Sequence, residues 1–310
     1  MFAFRCSTSS RLMSTSTSSR CPRSTATRAT TLTPKAAVTP WATSAESWRA
    51  SALMCCAKCS SRTPPGSSPT EGRHHVTSRP DGIVLVHGGM HGAWCWELVQ
   101  PLLDLPSVAV DLPGRGRRPL DTEPVTLARC VAAVLEDADA AGFDRFVLVG
   151  HSMGGLTLTA TAAQAPDRVT SLVYVAALTP PVGMSTNRLF FGDEAPVIDD
   201  QAGVQPLASR EAARALFAGD LDDAAFDAMY ARCVPEPIGL FLATVPHYDS
   251  QIPAITVRCT RDGAVPEALA TMLAAQLTPT RHHEIDADHD VMLSQPGALA
   301  DIINEVGRHA

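Results

Sequence analysis

Phe146-Val-Leu-Val-Gly-His-Ser-Met-Gly-Gly155 runs a short apolar segment straight into a serine flanked by glycines. The uncharged Phe146–Val149 run reads as a buried strand, and 156–164 reads as a helix. Gly150-His-Ser-Met-Gly154 therefore occupies a sharp strand-to-helix turn, the context in which a G-x-S-x-G spacing has chemical meaning. Such a turn strains the backbone at Ser152, and the glycines remove the side chains that would clash there. The Oγ is presented to a pocket while the following helix aims its first amides at developing negative charge. Ser152 is the candidate nucleophile.

Working outward, the same rhythm repeats. Ile83–Val86 ends in His87-Gly-Gly89, and Val108–Val110 ends in Asp111 and the turn Leu112-Pro-Gly114. Residues 126–141 place Leu127, Val131, Val134 and Leu135 on one helical face, with Gly142 closing the helix. Downstream come strands at Leu172–Val175, Ile255–Cys259 and 281–285, a helix at 266–277 and a final helix at 296–307. Six short apolar strands alternating with helices predict an α/β fold: a mainly parallel sheet with helices on both faces.

The stretch 178–250 breaks the rhythm with Pro180, Pro181, Pro196, Pro206, Pro235, Pro237 and Pro246, and has helical pieces at 209–218 and 222–232. It reads as a mostly helical cap over the C-terminal edge of the sheet, where open α/β sheets bind ligands.

The domain is expected to span 79–310. Residues 1–78 are rich in Ser, Thr, Arg and Pro, lack periodicity, and are expected to be disordered. Such an acid-poor, Arg-rich start resembles an organelle transit peptide. The clean beginning of the domain near Arg79 favours the other reading, a stretch upstream of the true start.

Charge divides the chain at the same place. Residues 1–80 hold nine Arg, Lys35 and Lys58 against only Glu46 and Glu71, a balance of +9. The whole chain is −7, so residues 81–310 carry −16 and contain no lysine. An acidic body repels a phosphate backbone, so no nucleic-acid partner is expected. No apolar run reaches the roughly 18 residues of a membrane span. With no signal h-region, the cytoplasm is the expected compartment. Cys95, Cys130, Cys233 and Cys259 sit in or beside apolar runs and read as buried free thiols. Cys56-Ala-Lys-Cys59 has no second pair at zinc-ligand spacing, so no metal is expected.

A serine needs a base. Of ten histidines, His289 lies in Asp286-Ala-Asp-His-Asp-Val-Met-Leu-Ser-Gln-Pro296, after the last strand and before the last helix, at the sheet edge that carries Ser152. His282 and His283 fall inside a strand, and His247 reads as a solvated loop residue of the cap. Asp262, in Cys259-Thr-Arg-Asp-Gly-Ala-Val-Pro266, also follows a strand and is the candidate to orient the imidazole. Asp286, Asp288 and Asp290 are rivals too close along the chain to reach the ring well, and Asp249 is a weaker one. The amides of Met153 and Gly89 are candidates for an oxyanion hole, with His87 expected to brace that loop.

With these residues assembled, 81–308 resembles the α/β-hydrolase superfamily, and within it the plant methyl esterases of salicylate and jasmonate, the hydroxynitrile lyases and their bacterial relatives. The likeness rests on Val84-Leu-Val-His-Gly-Gly-Met-His-Gly-Ala-Trp94, Gly150–Gly155, Cys259–Asp262 and Ala287–Pro296. The order Ser152, Asp262, His289 is the order this superfamily uses. The lyases carry threonine after the first-motif histidine, where this chain has Gly88, and lysine after the catalytic histidine, where it has Asp290. The resemblance thus implies hydrolysis, with the Asp290 carboxylate disfavouring an anionic leaving group.

The expected activity is cleavage of a small carboxylic ester, with no organic cofactor. Thioester or lactone hydrolysis, perhydrolysis, a lyase reaction and a slow-turnover ligand receptor are the alternatives on this fold. Trp94, Trp96, Phe190, Phe191, Phe217, Phe226, Phe241 and Tyr248 could form an apolar pocket, with Trp94, Phe190, Phe217 and Phe241 the candidates for substrate contact. The partner would be an apolar or aromatic ester, and a homodimer is compatible with the sequence. Arg115-Gly-Arg-Arg118 reads as a solvated loop rather than an anion site.

Overall fold

The computed structural model describes residues 79–198, 203–247 and 251–310. Residues 1–78, Tyr248 and Asp249 lie outside the described residues, and with them the readings attached to them.

The chain alternates as its apolar runs require: β1 (Gly82–Val86), β2 (Ser107–Val110), α1 (Leu127–Ala140), β3 (Phe146–His151), α2 (Gly154–Gln164) and β4 (Val169–Val175). The cap follows, with α3 (Thr186–Phe191), β5 (Val204–Gln205), α4 (Arg210–Phe217), α5 (Asp223–Tyr230), β6 (Glu236–Pro237) and α6 (Ile238–Leu242). The core resumes with β7 (Ala254–Cys259), α7 (Glu267–Ala274), β8 (Pro279–Ile285), α8 (Val291–Ser294) and α9 (Pro296–His309).

The main sheet has six strands in the order β2-β1-β3-β4-β7-β8, every pair parallel. Strand residues alternate between two cores, as a period of two demands. Val84, Val86, Leu148, Leu172 and Tyr174 face α1, α2 and α7. Ile83, Leu85, Val147, Val149, Val173 and Val257 face α8, α9 and the 3-10 turn Ala93–Trp96. Burying each such side chain stabilises the fold by roughly 1.5–3 kcal/mol.

Because β1 lies between β2 and β3, the chain leaves β1 toward one edge and returns on the other side of it. The loops after β1 and β3 diverge there and open a crevice at their C-terminal ends. The oxyanion-loop and nucleophile candidates are those two loops.

The cap was expected to be mostly helical, and its helices α4 and α5 start where Ser209 and Asp222 accept backbone amides of Ala212 and Ala225. The sequence reading missed α3, α6 and the antiparallel pair β5–β6. The cap has its own small core of Ala213, Ala218, Leu221, Phe226 and Met229. Arg210 and Arg214 each lie 4.9 Å from the Phe226 ring centroid. Among the described residues no helix is long and apolar enough to cross a membrane. The four described cysteines are free; Cys233 is half-buried rather than buried.

Candidate active site

β3 runs unbroken to His151, and the turn that follows holds Ser152 at φ 51°, a left-handed conformation rare outside glycine. Backbone bonds fix it: the Ser152 amide donates to the Val175 carbonyl at 3.0 Å, and the Ser152 carbonyl accepts from Leu178 at 2.8 Å and Gly155 at 3.0 Å. A Cβ at Gly155 would lie 2.4 Å from the Leu178 carbonyl oxygen, and one at Gly154 2.9 Å from that of His87. The glycines are there because backbone passes where side chains would be.

The same test bears on the lyase alternative. A Cβ at Gly88 would lie 2.8 Å from the Ser152 Cβ and 2.9 Å from His151 Nδ1. This backbone leaves no room for the threonine that the lyases carry.

His289 and Ser152 line one pocket. His289 Nδ1 donates to Asp262 Oδ2 at 2.8 Å, both side chains buried, and Asp262 Oδ1 accepts the amides of Ala264 and Val265 at 2.8 and 2.7 Å. With its outer oxygen held by two amides, the carboxylate presents the other to the ring. Burial by itself drives the His289 pKa down, but the charge and hydrogen bond of Asp262 outweigh it and hold the pKa above its ordinary value.

The rival carboxylates are engaged elsewhere. Asp286 bonds Arg261, Asp288 lies 3.4 Å from Arg261, and Asp290 faces His91. Asp290 is buried and is not among the pocket-lining residues, so it does not confront a leaving group as expected.

Gly89 and Met153 both line the pocket, and among the described residues neither amide N–H is used in a hydrogen bond. His87 braces its loop as expected. Its Nε2 accepts the Leu112 amide at 3.2 Å while Nδ1 donates to the Gly88 carbonyl at 2.7 Å. Burial, reinforced by the Arg115 charge, lowers its pKa to about 3 and keeps it neutral, as that pairing requires.

Phe190, Phe217 and Phe241 line the pocket with Leu178, Leu216 and Val265. Phe217 lies 5.6 Å from the His289 ring. Trp94 does not line it: the 3-10 turn carries the indole between His91, 5.2 Å away, and the Arg232 guanidinium, 4.6 Å away. Trp96 belongs to the core on the α8–α9 face of the sheet, and Phe226 to the cap's own small core.

Arg115 corrects the reading of its loop as solvated. Its side chain is 2% exposed, and Nη2 donates to Glu236 Oε2 at 2.5 Å. Arg117 and Arg118 both bond Asp137. The sequence reading passed over Glu236, although a lone charge between two prolines, followed by the apolar run Ile238–Leu242, was a visible signal.

His151, His289 and Asp290 bring possible metal-ligating atoms within 4.8 Å of one another. Each residue of the cluster has a hydrogen-bonded partner: His289 serves Asp262, Asp290 Oδ2 serves His91, and His151 Nε2 donates to the His289 carbonyl at 3.0 Å. His151 Nδ1 and Asp290 Oδ1 have none among the described residues.

A serine on a strained strand-to-helix turn, beside a buried histidine–aspartate pair at the edge of a parallel sheet, defines a nucleophile-elbow hydrolase architecture. Residues 83–302 match the alpha/beta hydrolase family, and the chain belongs to that family. An esterase of rice (Oryza sativa subsp. japonica) is 39% identical over 107 residues, 33% of this chain and 40% of the rice protein. A carbendazim hydrolyzing esterase of Nocardioides sp. is 32% identical over 193 residues, 61% of this chain and 70% of that protein. The match thus spans less than half of the rice relative and over two thirds of the bacterial one. An extracellular alpha/beta-hydrolase from a Paenibacillus species superposes with a TM-score of 0.65 at 23% identity, over 74% of this chain and all of that one. At that identity the likeness speaks for the fold. The resemblance drawn from the motifs holds at the level of the superfamily's esterase group.

Proposed function

We propose that the chain hydrolyses small carboxylic esters through an acyl-enzyme on Ser152. The Ser152 Oγ attacks the ester carbonyl, and His289 takes its proton and returns it to the departing alcohol. Water, activated by the same imidazole, then releases the acid. Asp262 steadies the imidazolium, and the Gly89 and Met153 amides receive the oxyanion. The observation that carries this reading is the buried His289–Asp262 bond of 2.8 Å beside a serine at φ 51° on the same pocket. Relatives named as esterases support the same reaction class.

The lining favours an apolar or aromatic ester. Phe190, Phe241, Leu178 and Leu216 offer no charge, and the phenyl faces suit flat or alkyl groups. The chemistry needs no metal or organic cofactor.

The test is hydrolysis of p-nitrophenyl acetate and butyrate by the full chain and by Ser152→Ala. Loss of the serine is expected to lower turnover on the order of a thousandfold or more. Equal rates in the two proteins would remove Ser152 from the mechanism.

A further inference from the structure

The oxyanion loop is held by groups that come from far along the chain. Met90 stands at φ 64°, so the peptide between Gly89 and Met90 is turned into a conformation its residues do not favour. Both ends of that peptide are hydrogen-bonded to buried side chains. Its N–H donates to Glu236 Oε2 at 2.6 Å, and its carbonyl accepts from His91 Nδ1 at 2.7 Å.

Each of those side chains is matched by an opposite charge. Glu236 Oε2 also accepts Arg115 Nη2 at 2.5 Å, and Arg115 Nε donates to the His91 carbonyl at 3.0 Å. His91 Nε2 donates to Asp290 Oδ2 at 3.1 Å. A carbonyl and a carboxylate can only accept, so His91 makes both bonds as the imidazolium. Glu236 is 1% exposed, and its other oxygen is buried with no hydrogen-bond partner among the described residues. The fold retains that cost while both strong bonds run through one oxygen.

We propose that Glu236, brought in by the cap, is a positioning residue for the reaction: by holding the Met90 N–H it fixes the 89–90 peptide and aims the Gly89 amide at the oxyanion. A Cβ on Gly89 would lie 3.2 Å from Glu236 Oε2, so the carboxylate packs directly against the donor residue. The inference rests on the esterase reading above and adds to it a dependence of the oxyanion hole on the cap.

The experiment compares the full wild-type chain with Glu236→Gln, Glu236→Ala and the paired Arg115→Met/Glu236→Leu, which removes both buried charges together. Folding is checked by circular dichroism, and the paired variant carries the test if Glu236→Ala does not fold. Two probes are used, an alkyl trifluoromethyl ketone and the matching methyl ketone. With the first, the Ser152 Oγ bonds to the carbonyl carbon, its proton passes to His289, and the carbonyl π bond becomes the oxyanion. The methyl ketone occupies the pocket largely without adding.

Loss of one oxyanion donor lowers rates about 100- to 1000-fold, so a misaimed donor is expected to lower kcat about 10- to 100-fold. Affinity for the trifluoromethyl ketone should fall by a similar factor, and methyl ketone binding should be unchanged. Glu236→Gln, which retains an acceptor for Met90, should recover most of the loss. Equal weakening of both ketones would mean a pocket change, and an unaffected kcat in the folded paired variant would mean no role; either overturns the inference alone. A wild-type chain that neither turns over esters nor takes the trifluoromethyl ketone overturns the esterase reading and this inference with it.

Discussion

The turn at Ser152 and the turn at Met90 line one pocket, and both force a non-glycine residue to positive φ, 51° and 64°. They are held in opposite ways. The serine turn is fastened by the neighbouring strand, the segment that follows it and the next helix, through backbone bonds to Val175, Leu178 and Gly155. The Met90 turn is fastened by charged side chains, Glu236 from 146 residues away and His91 through Asp290, 199 residues along the chain from it. One is a product of packing and glycine; the other depends on buried ion pairs. A packed backbone turn fails by steric clash. A turn held by buried charge fails when a partner is lost, because the charge left behind has no water to solvate it.

The largest expected effect on stability follows from that difference. Arg115→Ala leaves Glu236 buried without a counter-charge and should destabilise the chain by about 3–5 kcal/mol in denaturant titration. Replacing both partners, as Arg115→Met/Glu236→Leu, should return most of that stability. If the single and paired variants unfold at the same denaturant concentration, the charges do not hold this loop.

On the other side of the comparison, Gly155→Ala pushes a Cβ against the Leu178 carbonyl oxygen. A destabilisation of about 1–3 kcal/mol is expected, with esterase activity lost as the serine turn shifts. Unchanged activity would mean that the elbow tolerates movement.

Acid sharpens the contrast by about 1.4 kcal/mol per pH unit for each group. His87 is held neutral to about 3, and His151 is also depressed, by burial first and then by the His289 charge. The unfolded chain protonates both near 6.5, so their contribution is full above that value and drains as pH falls below it, for His87 down to about 3. Asp290, which burial would raise but His91 lowers, adds a loss in the same direction below its ordinary carboxylate range. His91 runs the other way. Burial lowers its pKa, but Asp290 outweighs this and raises it, so its contribution is full below 6.5 and is lost as pH climbs through the raised value. Unfolding midpoints should therefore peak near neutrality, and a flat profile from pH 6.5 to 4 would contradict the assignment. In activity, His289 must be neutral to accept a proton, so kcat/KM should rise with pH through a midpoint above 6.5.

What could be read in the sequence follows the same division. Strands such as Ile83–Val86 and Phe146–Val149 were legible because a continuous apolar run is a local signal. Ser152, Asp262 and His289 were legible because each follows a strand, and strand ends converge on one edge of a parallel sheet. Arg115 was misread because its partner lies 121 residues away, and nothing local distinguishes a buried arginine from a solvated one. Trp94 was misplaced for a related reason. Its neighbours in the motif reach the pocket, but the direction of a 3-10 turn is set by what packs behind it, here Arg232 of the cap. The short cap elements α3, α6 and β5–β6 carry too few residues for any period to emerge.

Glu236 gives the cap a second consequence. A lid that swung away as one rigid piece to admit an ester would take the carboxylate with it, release the Met90 amide and leave Arg115 without its mate. Opening would then cost reactivity, as in a turnstile caught between positions, and an acyl-enzyme would form fastest once the gate had shut behind its substrate. In such a molecule, a stray electrophile meets a serine whose oxyanion hole is slack for as long as the door is open.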